Sequence, residues 1–358
     1  MPKPQSIARA EAFAKAHGFE IPILMAPMAG ACPPGLAAAV AKAGGLGGCG
    51  CLLMQPDDIR AWGQAVRQET NGAFQMNLWI PDPSPHRDAA HETAIRDFLG
   101  GWGPEVAADA ANAPTLDFEA QCQAMLEAGP AIISSIMGVF PADYVAAMKA
   151  RSIKWFANAT TVGEAQAAVQ AGADVVIAQG SEAGGHRGAF DADQAERTAV
   201  GLFALLPAMI DAVDVPVIAT GGIGDARGIA AALTMGASAV QIGTGFLRTP
   251  EAKLPSAWAD ALGDAMPEDT MVTRAFSGRA GRSITTKYVL AASAKDAPAP
   301  APYPIQRALT GAMRAQGAKD NDIDRIQAWA GQSAGLAQDR PAAALTEALW
   351  ADTNRLLK

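Results

Sequence analysis

The most constraining feature of this chain is a repeat of type rather than of letters. Short apolar runs of strand formers alternate with alanine-rich stretches of helical period from residue 21 to residue 243. The spacing predicts strands over 21–30, 46–51, 74–79, 131–138, 154–159, 174–179, 216–221 and 239–243. It predicts helices over 35–43, 55–68, 118–128, 142–150, 162–171, 199–213 and 226–235. The strand runs are apolar on both faces, as in a sheet covered on both sides. Strand, helix, strand in repetition makes a parallel sheet. About eight such units in roughly 250 residues fit a closed (β/α)8 TIM barrel better than an open doubly wound sheet.

Composition agrees. Of 358 residues, 50% are hydrophobic and only 6% aromatic, which favours helices packed closely on strands over an all-β sandwich. A net charge of -8 argues against nucleic acid as a partner, yet leaves room for a small anion in a locally positive site. The thiols Cys32, Cys49, Cys51 and Cys122 form no CxxC pair and read as reduced and buried, in a cytoplasmic protein. The first twenty residues lack the apolar core of a secretory signal, and no apolar run reaches membrane-spanning length. Residues 1–358 are expected to form one domain, with a Pro-, His- and Asp-rich insertion at 81–114 and a partly helical cap over 248–335. Apolar positions there, such as Trp258 and the run 288–290, fit cap packing and a homodimer face equally.

In a parallel barrel, function sits at the carboxyl ends of the strands. The residues to read are therefore Ala26, Pro27 and Met28, then Asn77, Asn158, the loop from Gln179 to His186, Gly221–Gly222 and Gly243–Thr244. TGGIGD (220–225) and QIGTGF (241–246) end the last two strands. Glycines there let backbone N–H groups converge on an anion, helped by the dipole of a helix starting near Asp225. Two ordinary βα turns would also use glycine, but a phosphate site after the last two strands recurs in barrels and is the favoured reading.

AQGSEAGGHRG (178–188) places His186, one of four histidines, behind Gly184 and Gly185. Alone, such a histidine is as often a surface residue as a base. Beside a phosphate site, a general base or substrate anchor is favoured. Arg187 is read as solvated. Two look-alikes are set aside. The glycines at 45, 47 and 50 match G-x-G-x-x-G but follow a helix and open a strand, the reverse of a dinucleotide fingerprint. His91-Glu92 begins like a zinc-protease motif, but its fifth position is Ile95. No metal site is expected.

AQGSEAGGHRG, the block 220–246, FSGRAGR (276–282) and WAGQS (329–333) together resemble the nitronate monooxygenases, formerly called 2-nitropropane dioxygenases. The first two blocks also resemble flavin-dependent enoyl-acyl-carrier-protein reductases. The resemblance implies a TIM barrel holding FMN without a covalent link. It implies that Gly222 and the run Gln241, Ile242, Gly243, Thr244 hold the FMN phosphate. It implies that Asn77, Gln179 and Gly184 contact the flavin or its ribityl chain, with Ala26 to Met28 along the ring. His186 matches the family's active-site histidine. The implied reaction takes a nitronate or nitroalkane and dioxygen to a carbonyl compound and nitrite. One position departs: where many relatives read SFHFG, this chain reads SSIMG (134–138), with Ile136 at a histidine position. An NAD(P)H-dependent flavin reductase acting on an enoyl thioester or quinone, and a phosphate-binding barrel without redox activity, stay open on the residues alone.

Overall fold

A computed structural model describes residues 4–112 and 115–358. Residues 1–3, and the last two of the expected 81–114 insertion, lie outside the described residues. The strands are β1 (Ile23–Met25), β2 (Gly47–Gly50), β3 (Phe74–Trp79), β4 (Ile132–Ile136), β5 (Lys154–Ala159) and β6 (Val175–Gln179). They continue as β7 (Gly185–His186), β8 (Val217–Thr220), β9 (Ala239–Ile242), β10 (Thr270–Thr273) and β11 (Gly281–Ile284). Eight of them form one parallel sheet in the order β1-β9-β8-β6-β5-β4-β3-β2. The two ends meet: Met25 N–H donates to the Leu46 carbonyl at 2.9 Å, and Leu46 N–H to the Ile23 carbonyl at 3.1 Å. The sheet is thus a nearly closed TIM barrel, as the alternation requires.

The helices follow the apolar spacing. Phe118–Ala128, for instance, is capped by Asp117 and stops at Gly129, whose φ of 59° suits glycine. The glycines of the false dinucleotide motif serve packing. A Cβ on Gly47 would stand 2.3 Å from the Ala37 carbonyl oxygen, so only glycine lets helix Pro34–Lys42 lie this close to β2.

The amino end of the barrel is plugged by an element absent from the sequence expectations, the helix Gln5–Ala16. Its Phe13 joins Phe19, Leu24, Phe156, Ile177 and Ile218 in an apolar floor. The insertion contains a helix, Ala89–Leu99, capped by Asp88. Its Glu92 is paired with Arg87 at 2.5 Å, so His91-Glu92 belongs to a helix-cap ion pair. Among the described residues no group of His, Cys, Asp and Glu could hold a metal ion, and no helix is long and apolar enough to cross a membrane.

The closing helix, Ala342–Leu356, packs between Pro34–Lys42 and Ala226–Thr234, where the eighth helix of a barrel belongs. The cap is the chain between β9 and that helix. Its antiparallel sheet, β10-β11-β7, borrows β7 from the loop after β6. Tyr288 and Val289 are buried in the cap, while Leu290 is exposed, so most of the run 288–290 is cap packing.

Candidate active site

The carboxyl ends of the strands open into one cavity of about 1450 Å³, its open mouth included. Pleating decides who reaches it. Successive side chains point to opposite faces, so residues two apart share the inside of the barrel. Asn77 and Trp79 line the cavity together, as do Ser134 and Ile136, and Ile177 and Gln179. Gln241 and Gly243 line it too, whereas Ile242 between them is buried in the layer under the helices. The side chain of Ile242 thus lies off the cavity wall, and its carbonyl accepts from Ala26 N–H at 2.8 Å. The other expected residues, Ala26, Pro27, Met28, Asn77, Gln179, Gly184, Gly185, His186, Gly221, Gly222, Gln241, Gly243 and Thr244, all lie on the cavity wall.

At the ends of β8 and β9 the wall is backbone. Gly221 and Gly222 have φ of 106° and 68°, a region that disfavours side chains. Gly222, Ile223 and Thr244 keep N–H groups with no acceptor among the described residues. The helix contribution expected near Asp225 is smaller than the sequence suggests. Asp225 itself accepts from Arg227 N–H and Gly228 N–H, so these donors of helix Ala226–Thr234 are already used. The WAGQS segment closes this corner: Gly331 N–H donates to Thr244 Oγ1 at 3.0 Å. A Cβ on Gly184 would stand 2.4 Å from Gly331 N.

The amides divide their work. Gln179 faces the cavity, yet both ends of its amide hold the histidine loop. Nε2 donates to the His186 carbonyl at 3.1 Å, and Oε1 accepts from Gly188 N–H at 2.7 Å. Asn77 Nδ2 is spent on Ser134, which leaves Oδ1 as an acceptor toward the cavity. Asn158 also lines the wall, and its buried Nδ2 has no partner among the described residues. Arg187 is not solvated. It is 1% exposed, beneath the loop, and donates to the carbonyls of Gln179 and Gly180. The Glu182 carboxylate accepts from Leu202 N–H at the start of helix Leu202–Ala212.

His186 is held from three sides. Trp79 and Trp329 stand edge-on to its ring at 4.6 and 4.7 Å between centroids. Ser277 Oγ lies 2.7 Å from Nε2 and donates to the Arg279 carbonyl at 3.2 Å. Ser277, which bonds both the ring and the backbone, is thus the group that orients the imidazole through Nε2. Burial, reinforced by Arg279, Arg307 and Arg314, pushes the imidazole down to about 3, so the ring is neutral at pH 7. Arg279 is paired with Asp82 of the insertion. Arg307 lines the cavity and, among the described residues, has no carboxylate partner. Arg314 behind it bonds only neutral oxygens, and burial pushes it down to about 10.

The nitronate monooxygenase family model matches residues 11–352. The chain belongs to the nitronate monooxygenase family. It is thereby an oxidoreductase of a flavin-dependent family. A nitronate monooxygenase of Pseudomonas aeruginosa is 37% identical over 343 residues, 94% of this chain and 97% of that protein. One of Paraburkholderia phytofirmans is 37% identical, over 93% of this chain and 92% of its own length. Among solved structures, a nitroalkane oxidase from Streptomyces ansochromogenes superposes with a TM-score of 0.88 at 34% identity, over 96% of this chain and 99% of that one. FabK from Thermotoga maritima is more distant, with a TM-score of 0.75 at 28% identity over 98% and 96%.

Several wall residues escaped the sequence reading. Trp79 was within reach, because the alternation that puts Asn77 inside puts Trp79 there too. Trp258, Arg307 and Trp329 come from the cap, as does Ser277 behind His186, and no periodicity in the sequence relates them to a barrel strand.

Proposed function

We propose that this nitronate monooxygenase family member holds FMN in the cavity and uses dioxygen to oxidise alkyl nitronates, such as propionate 3-nitronate, to a carbonyl compound and nitrite. The residues fit FMN. The N–H groups of Gly222, Ile223 and Thr244 suit its phosphate. The flat edge Ala26–Pro27–Met28 suits an aromatic ring system, and Asn77 Oδ1 offers an acceptor to its polar edge. When bound, the flavin supplies the electron transfer between nitronate and dioxygen, and the protein positions and tunes it. The whole chain, insertion and cap included, is read as one FMN-binding domain of a cytoplasmic enzyme able to pair as a homodimer.

One observation carries the choice of substrate: a neutral histidine and an arginine with no carboxylate partner among the described residues line the same cavity. Arg307 attracts an anion into the cavity it lines. The ring of His186 stays neutral far below pH 7, so it orients rather than charges. A base of such low proton affinity is poor at removing a C–H proton from a neutral nitroalkane. The preformed nitronate anion is the better match. Ile136 fits this, since among the described residues that line the cavity His186 is the one histidine.

The test is an anaerobic absorbance spectrum of the FMN-loaded protein with propionate 3-nitronate, and with NADH in a parallel cuvette. Bleaching by the nitronate, followed by oxygen-dependent nitrite release, is expected. Bleaching by NADH alone would move the assignment to a reductase, the reading that the likeness to FabK keeps in second place. A colourless protein that cannot be loaded with FMN would leave a non-redox phosphate binder.

A further inference from the structure

We infer that Gln75 is a positioning residue: it fixes the side-chain amide of Gln241 so that the cavity floor presents an N–H group to whatever lies on it. The functional part of this inference rests on the FMN reading above; the geometric part does not.

The logic starts from the pleat of β3. Gln75, Asn77 and Trp79 share its inner face. The last two reach the cavity, while Gln75 lies one layer deeper and is 0% exposed. Its Nε2 donates to the Met25 carbonyl at 2.9 Å. A carbonyl only accepts, so this contact fixes which end of the amide faces Met25. The remaining N–H of the same nitrogen points at Gln241 Oε1, 3.3 Å away. Gln241 must therefore turn its oxygen down. Its own Nε2 donates to nothing among the described residues and is not sealed in, while Gln241 forms part of the cavity wall. A backbone carbonyl in β1 thus dictates the polarity of a group two side chains away.

Two further features agree. A Cβ on Gly48 would stand 2.7 Å from the Met25 carbonyl oxygen and 3.1 Å from Gln75 Cγ, so a glycine is needed for this contact to form. Gln75 also carries a cost, because its Oε1 is buried with no donor among the described residues. A methionine of similar length would fill the space without that orphan, so packing alone does not account for a glutamine.

An N–H directed at a bound flavin favours the form that carries more negative charge. Gln75 accordingly raises the reduction potential, through Gln241. The variants to compare with wild type are Gln75→Met, Gln75→Asn, whose amide is too short to reach Gln241, and Gln241→Glu, which turns an oxygen to the cavity. The readouts are FMN affinity by fluorescence titration, the midpoint potential, and the side-chain amide NMR signals of ligand-free protein, with melting curves to certify folding. All three variants are expected to bind FMN several-fold more weakly and to shift the potential to more negative values. A tenfold loss of preference for reduced flavin reads as ~30 mV for a two-electron couple. The double variant Gln75→Met/Gln241→Glu is expected to match Gln241→Glu alone, because the two residues act in series. A shifted Gln241→Glu beside a folded Gln75→Asn that behaves as wild type overturns the relay. Without flavin, the Gln241 amide signals are expected to move in Gln75→Met; signals unchanged from wild type overturn the relay even if no protein sample takes up FMN. That last failure on its own would sink the FMN reading instead.

Discussion

At the scale of single residues, the site depends on charges that are not matched in pairs. His186 stays neutral because burial and three arginines oppose its protonation. In the unfolded chain it takes up a proton near its ordinary value of about 6.5. The folded pKa is depressed, so this contribution to stability is full above that value and is lost as pH falls toward about 3. Wild type is expected to lose stability between pH 6 and pH 4 more steeply than His186→Asn, by at most about 1.4 kcal/mol per pH unit, one proton's worth. Denaturant melts across that range check it. Oxidation of a preformed nitronate is expected to show no acid limb from His186 between pH 5 and pH 8. Arg307→Met is expected to raise KM for the nitronate more than it lowers kcat. A hydrogen bond to a charged group is worth about 1.5–3 kcal/mol, roughly 10- to 150-fold. An unchanged KM would remove Arg307 from substrate binding. The motif around His186 was legible because it is local. Arg307 was not, because nothing near it in sequence says that it lacks a partner in space.

At the scale of elements, backbone does the holding. The β8 and β9 loops offer N–H groups only because Gly221 and Gly222 adopt conformations closed to side chains, and because Asp225 satisfies its own helix. Gly184→Ala drives a methyl into the Gly331 backbone. It is expected to cost about 1–3 kcal/mol by overpacking, and to weaken FMN retention as the WAGQS segment is displaced. Asp225→Ala is expected to cost about 1 kcal/mol through loss of the helix cap. FMN binding should largely survive, because the freed N–H groups then face the same corner. Thermal melts with and without FMN separate the two variants. The sequence defined these elements well: β3 and β5 match the expected ranges residue for residue, since flanking turns and apolar content agree. The sequence reading failed to foresee that the Ile242 side chain turns away from the cavity, because period two was not applied inside a strand already identified. It also failed for β7, a two-residue strand that exists only because a distant ribbon, β11, pairs with it.

At the scale of the whole molecule, alternating strands and helices closed the barrel as expected, but the sequence did not show how the ends are sealed. Helix Gln5–Ala16 is polar enough on its outer face to read as an ordinary leader, and its role appears only where Phe13 meets the barrel floor. The β1/β2 seam is the weak joint of the ring, because these strands meet at the single bridge Leu24–Leu46. Its amides, Met25 and Leu46, are expected to exchange with solvent faster than those of the β4-β5-β6 wall, where the ladders are longer. Equal protection across the ring would show that the C-terminal helix, which packs beside the seam, carries its closure.

The cap leaves the barrel after β9 and rejoins it at Ala342, and β7 fastens it a third time through the loop that carries His186. A body hung from three points on one rim cannot swing without dragging the histidine along. Any displacement of the cap therefore also moves the cavity wall, which Trp258 and Trp329 of the cap share with Trp79 of the barrel.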